Sequence, residues 1–114
     1  MTSPRNSRRD PDKALERRVQ SALTTIYDPA TPHIDLFNMG MVYRVAVDAG
    51  RVQIDLAFSS PGHPGNLLLP KQVADAIREL DGVRECKVKV VNDPPWTLDR
   101  VSDHARINMS VVGS

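Results

Sequence analysis

Val52-Gln53-Ile54-Asp55-Leu56-Ala57-Phe58 runs directly into Ser59-Ser60-Pro61-Gly62-His63-Pro64, and the join between these two stretches decides the fold. Val52, Ile54, Leu56 and Phe58 recur at every second residue, the period of a strand that buries one face, while Gln53 and Asp55 turn the other way. Beyond the loop, Leu69, Val73, Ala76, Ile77 and Leu80 recur at helical spacing, with Pro70 tolerable only in the first turn. Gly82 is placed to end that helix as its C′ residue. A third strand follows over 84–91, where Cys86, Val88 and Val90 alternate against Lys87 and Lys89. Strand, helix and strand in this order make a crossover. The last strand therefore runs parallel to a strand of the same sheet, with the helices mainly on one face.

Upstream, strands over 41–47 and 52–58 flank Asp48-Ala49-Gly50-Arg51, a hairpin turn in which Gly50 is free to take positive φ. The stretch 28–40 is interrupted by proline and carries His33, Asp35 and Asn38, so it reads as a long ordered loop. Before it, Leu15, Val19, Ala22, Leu23 and Ile26 mark an amphipathic helix from Lys13 to near Tyr27, stopped by Asp28-Pro29. Residues 1–12 are almost devoid of apolar side chains and read as a disordered N-terminal arm, leaving 13–114 as one domain. Near the other end, Asn92-Asp93-Pro94-Pro95-Trp96 must be extended or turned, since neither proline can donate a ladder hydrogen bond. Ser102 can then cap a short last helix through Met109. The expected fold is a single small α/β (α+β) domain of order α-β-β-α-β-α, a hairpin joined to a βαβ-type crossover.

Composition narrows the function classes. At 114 residues there is one modest core, and 40% hydrophobic with 25% charged residues is ordinary for a globular domain. A net charge of +1 provides no global attraction to nucleic acid or an anionic membrane. No apolar run approaches the roughly 20 residues that span a bilayer, and no secretory h-region is visible, so a cytoplasmic location is expected. The single cysteine cannot form an internal disulfide.

The strand-to-helix loop presents His63 from a path stiffened by two prolines and a glycine. Three roles are open to it: metal ligand, proton-handling group, or a side chain bonded to nearby backbone. With His33 and a carboxylate, Asp28 or Asp35, it would resemble a mononuclear iron or zinc site with open positions. That set depends on tertiary proximity alone. Each member also has a plain reading: an aspartate beside a turn commonly accepts from neighbouring N–H groups, and Ser59 and Ser60 suit the N-terminus of the following helix. Cys86 alternates in phase with Val88 and Val90 and reads as a small hydrophobe. Trp96 is either a packing anchor or part of a partner-binding patch with Pro94 and Pro95. His104, Lys87, Lys89 and the arginines Arg5, Arg8 and Arg9 read as solvated.

Four separated segments together match one pattern: Ile26-Tyr27-Asp28-Pro29, the run from Ile34 to Tyr43 that includes Gly40-Met41-Val42-Tyr43, the Ser59–Pro64 loop, and Asn92-Asp93-Pro94-Pro95-Trp96-Thr97 with Asp99-Arg100 and Ser102. Over roughly residues 13 to 109 the chain resembles the small iron–sulfur cluster assembly proteins of the SufT-like and PaaD-like type. The resemblance implies a compact α/β domain that helps mature iron–sulfur or other metalloproteins without catalysing a reaction of its own. It also implies a cysteine before the second loop proline as the reactive or metal-binding residue. Here that position is His63. Ser59 stands at the family's hydroxyl position and Asp28 at its acidic one, whereas Ala30 stands where glutamate is usual. A thiolate can bridge irons and exchange persulfides, but imidazole cannot, so sulfur transfer by this loop is excluded while terminal ligation is not.

The leading expectation is thus a non-enzymatic accessory factor for metallocentre maturation. Its partner-binding surface would comprise Ser59, His63, Pro94, Pro95 and Trp96, and its partner would be a client metalloprotein or the iron–sulfur assembly machinery. Two alternatives stand beside it: a metal-binding carrier or metal-dependent enzyme using His63 and His33, with Asp28 completing the candidate metal set, and a degenerate structural adaptor for a multicomponent oxygenase. No cofactor is fixed by the sequence; iron, an iron–sulfur cluster or zinc, held transiently, are the candidates. A homodimer follows if the partly covered sheet face carries apolar residues.

Overall fold

The computed structural model describes residues 4–103 and Ala105. In chain order it contains helix α1 (Pro4–Leu23), strands β1 (Tyr27–Asp28), β2 (Thr31–Asp35), β3 (Val42–Asp48) and β4 (Arg51–Leu56), helix α2 (Leu69–Arg78) and strand β5 (Glu85–Val90). Short 3₁₀ turns lie at Pro64–Leu67 and Leu98–Arg100.

The central sheet has the order β3-β4-β5. β3 and β4 are antiparallel, joined by a turn in which Ala49 and Gly50 both have positive φ, and β4 and β5 are parallel across the α2 crossover. Val52, Ile54 and Leu56 of β4 are at most 2% exposed, so the alternation read from the sequence is the core face. Leu15, Val19 and Leu23 of α1 and Leu69, Val73 and Ile77 of α2 close over that face. In register, the opposite face presents Arg44, Ala46, Gln53, Asp55, Lys87 and Lys89. This face is polar. The condition on which a homodimer was expected, an apolar uncovered face, is therefore not met.

Three boundaries differ from the sequence reading. α1 begins at Pro4, within the stretch expected to be a disordered arm. Proline in a first turn surrenders no hydrogen bond, and arginine favours helix without needing burial, so apolar content alone misjudged the start. α1 ends at Leu23 because the hydroxyls of Thr24 and Thr25 fold back onto the carbonyls of Ser21 and Ala22. The expected loop over 28–40 begins instead as a small antiparallel ladder, β1 with β2, since backbone pairing of two short segments needs no side-chain alternation. The expected last helix through Met109 lies mostly outside the described residues, as does His104. Within them, Ser102 Oγ accepts the Ala105 N–H at 3.2 Å, the geometry of the anticipated cap.

The turn from Leu36 to Met41 plugs one end of the core, with Leu36, Met39 and Met41 no more than 1% exposed. It is held from the C-terminal side. Trp96 Nε1 donates to the Met39 carbonyl at 2.7 Å, Ser102 N donates to the Asn38 carbonyl at 2.8 Å, and the Arg100 guanidinium stacks 3.9 Å from the centre of the Tyr43 ring. Gly40, at φ +72°, lies so close to Arg100 that an added Cβ would collide with the Arg100 carbonyl. Gly40→Ala is expected to lower unfolding free energy by more than about 2 kcal/mol, left-handed strain and backbone clash together. Gly62→Ala has φ +86° and no atom within 4 Å of the new Cβ, so it carries the strain alone. Urea denaturation of the two variants distinguishes them, and equal losses would contradict the close approach of Arg100.

Candidate functional site

The β4 strand delivers the Ser59–Pro64 loop to the same end of the sheet as the β1–β2 turn, and side chains join the two. Asp28 is fully buried. Its Oδ1 accepts the Ala30 N–H at 3.2 Å and its Oδ2 accepts the Ser59 hydroxyl at 3.1 Å. Pro29 then lies against Gly65, where a Cβ would come within 2.8 Å of the proline ring and 3.1 Å of His63 Nδ1. Only a residue without a side chain allows the two turns to touch here.

His63 is the cap of the 3₁₀ turn Pro64–Leu67: its Nδ1 accepts the Gly65 N–H at 3.0 Å. Its own N–H donates to the Ser60 carbonyl at 3.1 Å, and Asn66 Nδ2 donates to the same carbonyl at 2.8 Å. The expected capping of the second helix by Ser59 and Ser60 is thus replaced. Ser59 serves Asp28, Ser60 serves through its carbonyl, and α2 starts at Leu69 without a side-chain cap. The histidine as an N-cap was not anticipated, although bonding to nearby backbone was among the three roles open to it. Beyond the turn, Leu67 and Leu68 are 85% and 62% exposed, an apolar rim that the sequence reading did not single out.

The expected metal set is not assembled. Among the described residues no group of three His, Cys, Asp or Glu side chains could hold a metal ion. His33 is exposed on β2. Asp28 turns both oxygens inward to protein donors, and Asp35 caps its own turn by accepting from Asn38 N at 2.9 Å and Asn38 Nδ2 at 2.8 Å. Two buried polar atoms near these turns, Thr31 Oγ1 and Asn66 Oδ1, lack a hydrogen-bond partner. A hydroxyl and an amide oxygen do not replace the missing ligands of an iron or zinc site.

The remaining candidates separate clearly. Trp96 is half-buried against the core and bonded to Met39, which is the packing role; Pro94 and Pro95 are exposed, and the Pro94 carbonyl accepts the Tyr43 hydroxyl at 2.8 Å. Cys86 is 2% exposed in the core, as its alternation implied.

This arrangement, a three-stranded mixed sheet under two helices with a stiff loop after the central strand, has close counterparts. The family model described as iron–sulfur cluster assembly protein matches residues 16–90. The chain belongs to that family. It is 32% identical over 101 residues to the Fe-S protein maturation auxiliary factor YitW of Bacillus subtilis (strain 168), covering 88% of this chain and 98% of the relative. It is 35% identical over 79 residues to the Fe-S protein maturation auxiliary factor SufT of Staphylococcus aureus (strain USA300), covering 68% and 90%. Among solved structures, a domain of unknown function from Bacillus anthracis superposes with a TM-score of 0.83 at 28% identity, covering 90% of this chain and 98% of that one. The family's small-domain architecture therefore extends over nearly all of this chain.

Two outcomes test the local chemistry. Ser59→Ala removes a donor to a fully buried carboxylate and is expected to cost about 1–3 kcal/mol of stability, measured by chemical denaturation; a loss near zero would mean that the Asp28–Ser59 bridge does not hold the loop. Burial pushes the Cys86 thiol above its ordinary value, with Arg78 opposing that shift. The folded chain then binds this proton more tightly than the unfolded one, so stability is full below the free-thiol pKa of about 8.5 and falls as pH rises past it. Cys86→Ala should flatten that alkaline decline in thermal melts across the pH range.

Proposed function

We propose that this chain is a cytoplasmic, non-enzymatic accessory factor in the maturation of an iron–sulfur protein, acting by protein–protein contact around the Ser59–Pro64 loop. The observation that carries this reading is how the loop spends its polar groups. Asp28 is bonded to Ser59 and the His63 Nδ1 to Gly65, inside the turn, while Leu67 and Leu68 stand out beside it. A reaction centre needs free nucleophilic or titratable groups aimed at a common point. A docking surface needs a rigid polar centre with an apolar margin, which matches what is present. The names of the relatives, maturation auxiliary factors of similar length, support the same reading. No helix among the described residues is long and apolar enough to cross a membrane.

The test is genetic and chemical together. Deleting the gene in its host should lower the cluster content and specific activity of iron–sulfur enzymes while their polypeptide levels hold. Re-expressed wild-type chain should restore both, and a Leu67→Asp, Leu68→Asp double variant, folded normally by circular dichroism, should not. Unchanged cluster content after deletion would sink the maturation role, and full restoration by the double variant would move the contact surface elsewhere.

A further inference from the structure

The hydrogen bond at His63 fixes more than the turn. A backbone amide can only donate, so the Gly65 N–H at 3.0 Å requires a lone pair on Nδ1. The proton of the neutral ring then sits on Nε2. Nε2 is not among the buried unpartnered atoms and has no partner among the described residues, so it faces solvent as an N–H donor. The turn that supplies the Gly65 N–H is held from two sides. Pro29 packs on Gly65, and the bonds from His63 N to Ser60 O and from Asn66 N to His63 O, 3.1 and 3.0 Å, tie the turn on either side of it.

This tautomer is the wrong one for a metal. Ligation through Nε2 takes that nitrogen's lone pair and sends the proton to Nδ1, where it would point at the Gly65 N–H. Ligation through Nδ1 would displace the amide from its acceptor and leave a backbone donor unmatched. The donor set at this loop does not fit iron, zinc or a cluster. We infer that His63 instead donates a hydrogen bond through Nε2–H to an oxygen acceptor on the docked partner protein. The loop position that the resemblance gives to a cysteine ligand is, in this chain, a recognition contact. Leu67 and Leu68, one 3₁₀ turn further on, would exclude water around that bond and strengthen it. That the acceptor belongs to a protein rests on the proposed maturation role; the tautomer does not.

The tautomer is read directly by a long-range ¹H–¹⁵N correlation spectrum of the ¹⁵N-labelled full chain in mildly alkaline buffer. His63 should show an unprotonated Nδ1 and a protonated Nε2, with neither resonance shifted by an equivalent of Zn²⁺. A protonated Nδ1, or a Zn²⁺-induced shift at His63 that accompanies stoichiometric zinc binding abolished in His63→Asn, would overturn the inference. His63→Asn is the variant of choice because its Oδ1 can still accept the Gly65 N–H while its Nδ2 takes the place of the ring Cδ2, so that no donor reaches the Nε2 position. In the deletion host it should fold normally, judged by an unchanged Gly65 amide resonance, yet lose most of the restored cluster content. Full restoration by His63→Asn would refute the contact and leave the maturation role standing. A deletion without phenotype would remove that role and with it the protein acceptor, while the spectrum would still decide the tautomer.

Discussion

Burial of one face of β4 is the constraint on which everything else is built. Val52, Ile54 and Leu56 have neighbours on both sides, antiparallel β3 and parallel β5, and both helices press on their outward ends. A parallel neighbour cannot be reached by a tight turn, so the chain must leave β4, cross the face and return. The departure point is the Ser59–Pro64 loop. Its location at one end of the sheet is thus a by-product of the sheet's topology, before any question of what its side chains do.

Legibility of the sequence followed the range of the interactions involved. The alternation of β4 and the helical spacing of Leu69, Val73 and Ile77 are local signals amplified by burial and appear where they were expected, whereas on β5 the alternation buries Cys86, half-buries Val88 and leaves Val90 exposed. The β1–β2 ladder is held by backbone bonds between segments containing Pro29 and Pro32, which read as loop because prolines punctuate them. The start of α1 depended on propensity in a polar stretch, where periodicity has nothing to report.

The candidate site divides in the same way. The stiffness of the loop was accessible from the residues, and the resemblance placed Ser59 and Asp28 at the family's hydroxyl and acidic positions, which a 3.1 Å bond joins in the fold. The metal set required three side chains from distant segments to converge on one point, and nothing in their spacing could enforce that. Asp35 instead found both its donors three residues away in Asn38, and Asp28 divides its oxygens between Ala30, two residues on, and Ser59 across the seam. The local bonds form readily because little chain entropy is lost in making them.

The contact between Pro29 and Gly65 has a consequence for modularity. The loop after β4 is only half of a fitting, and its other half is thirty-odd residues away in the sequence, on the turn that carries Asp28. Transplanted alone to another scaffold, the segment 59–66 would lose the surface that shapes it. Moved together with 28–30, it would carry its own mould. Variation in what this domain recognises is therefore confined to residues that point away from that seam, and the seam itself sets how far the loop can be remodelled before its geometry is lost.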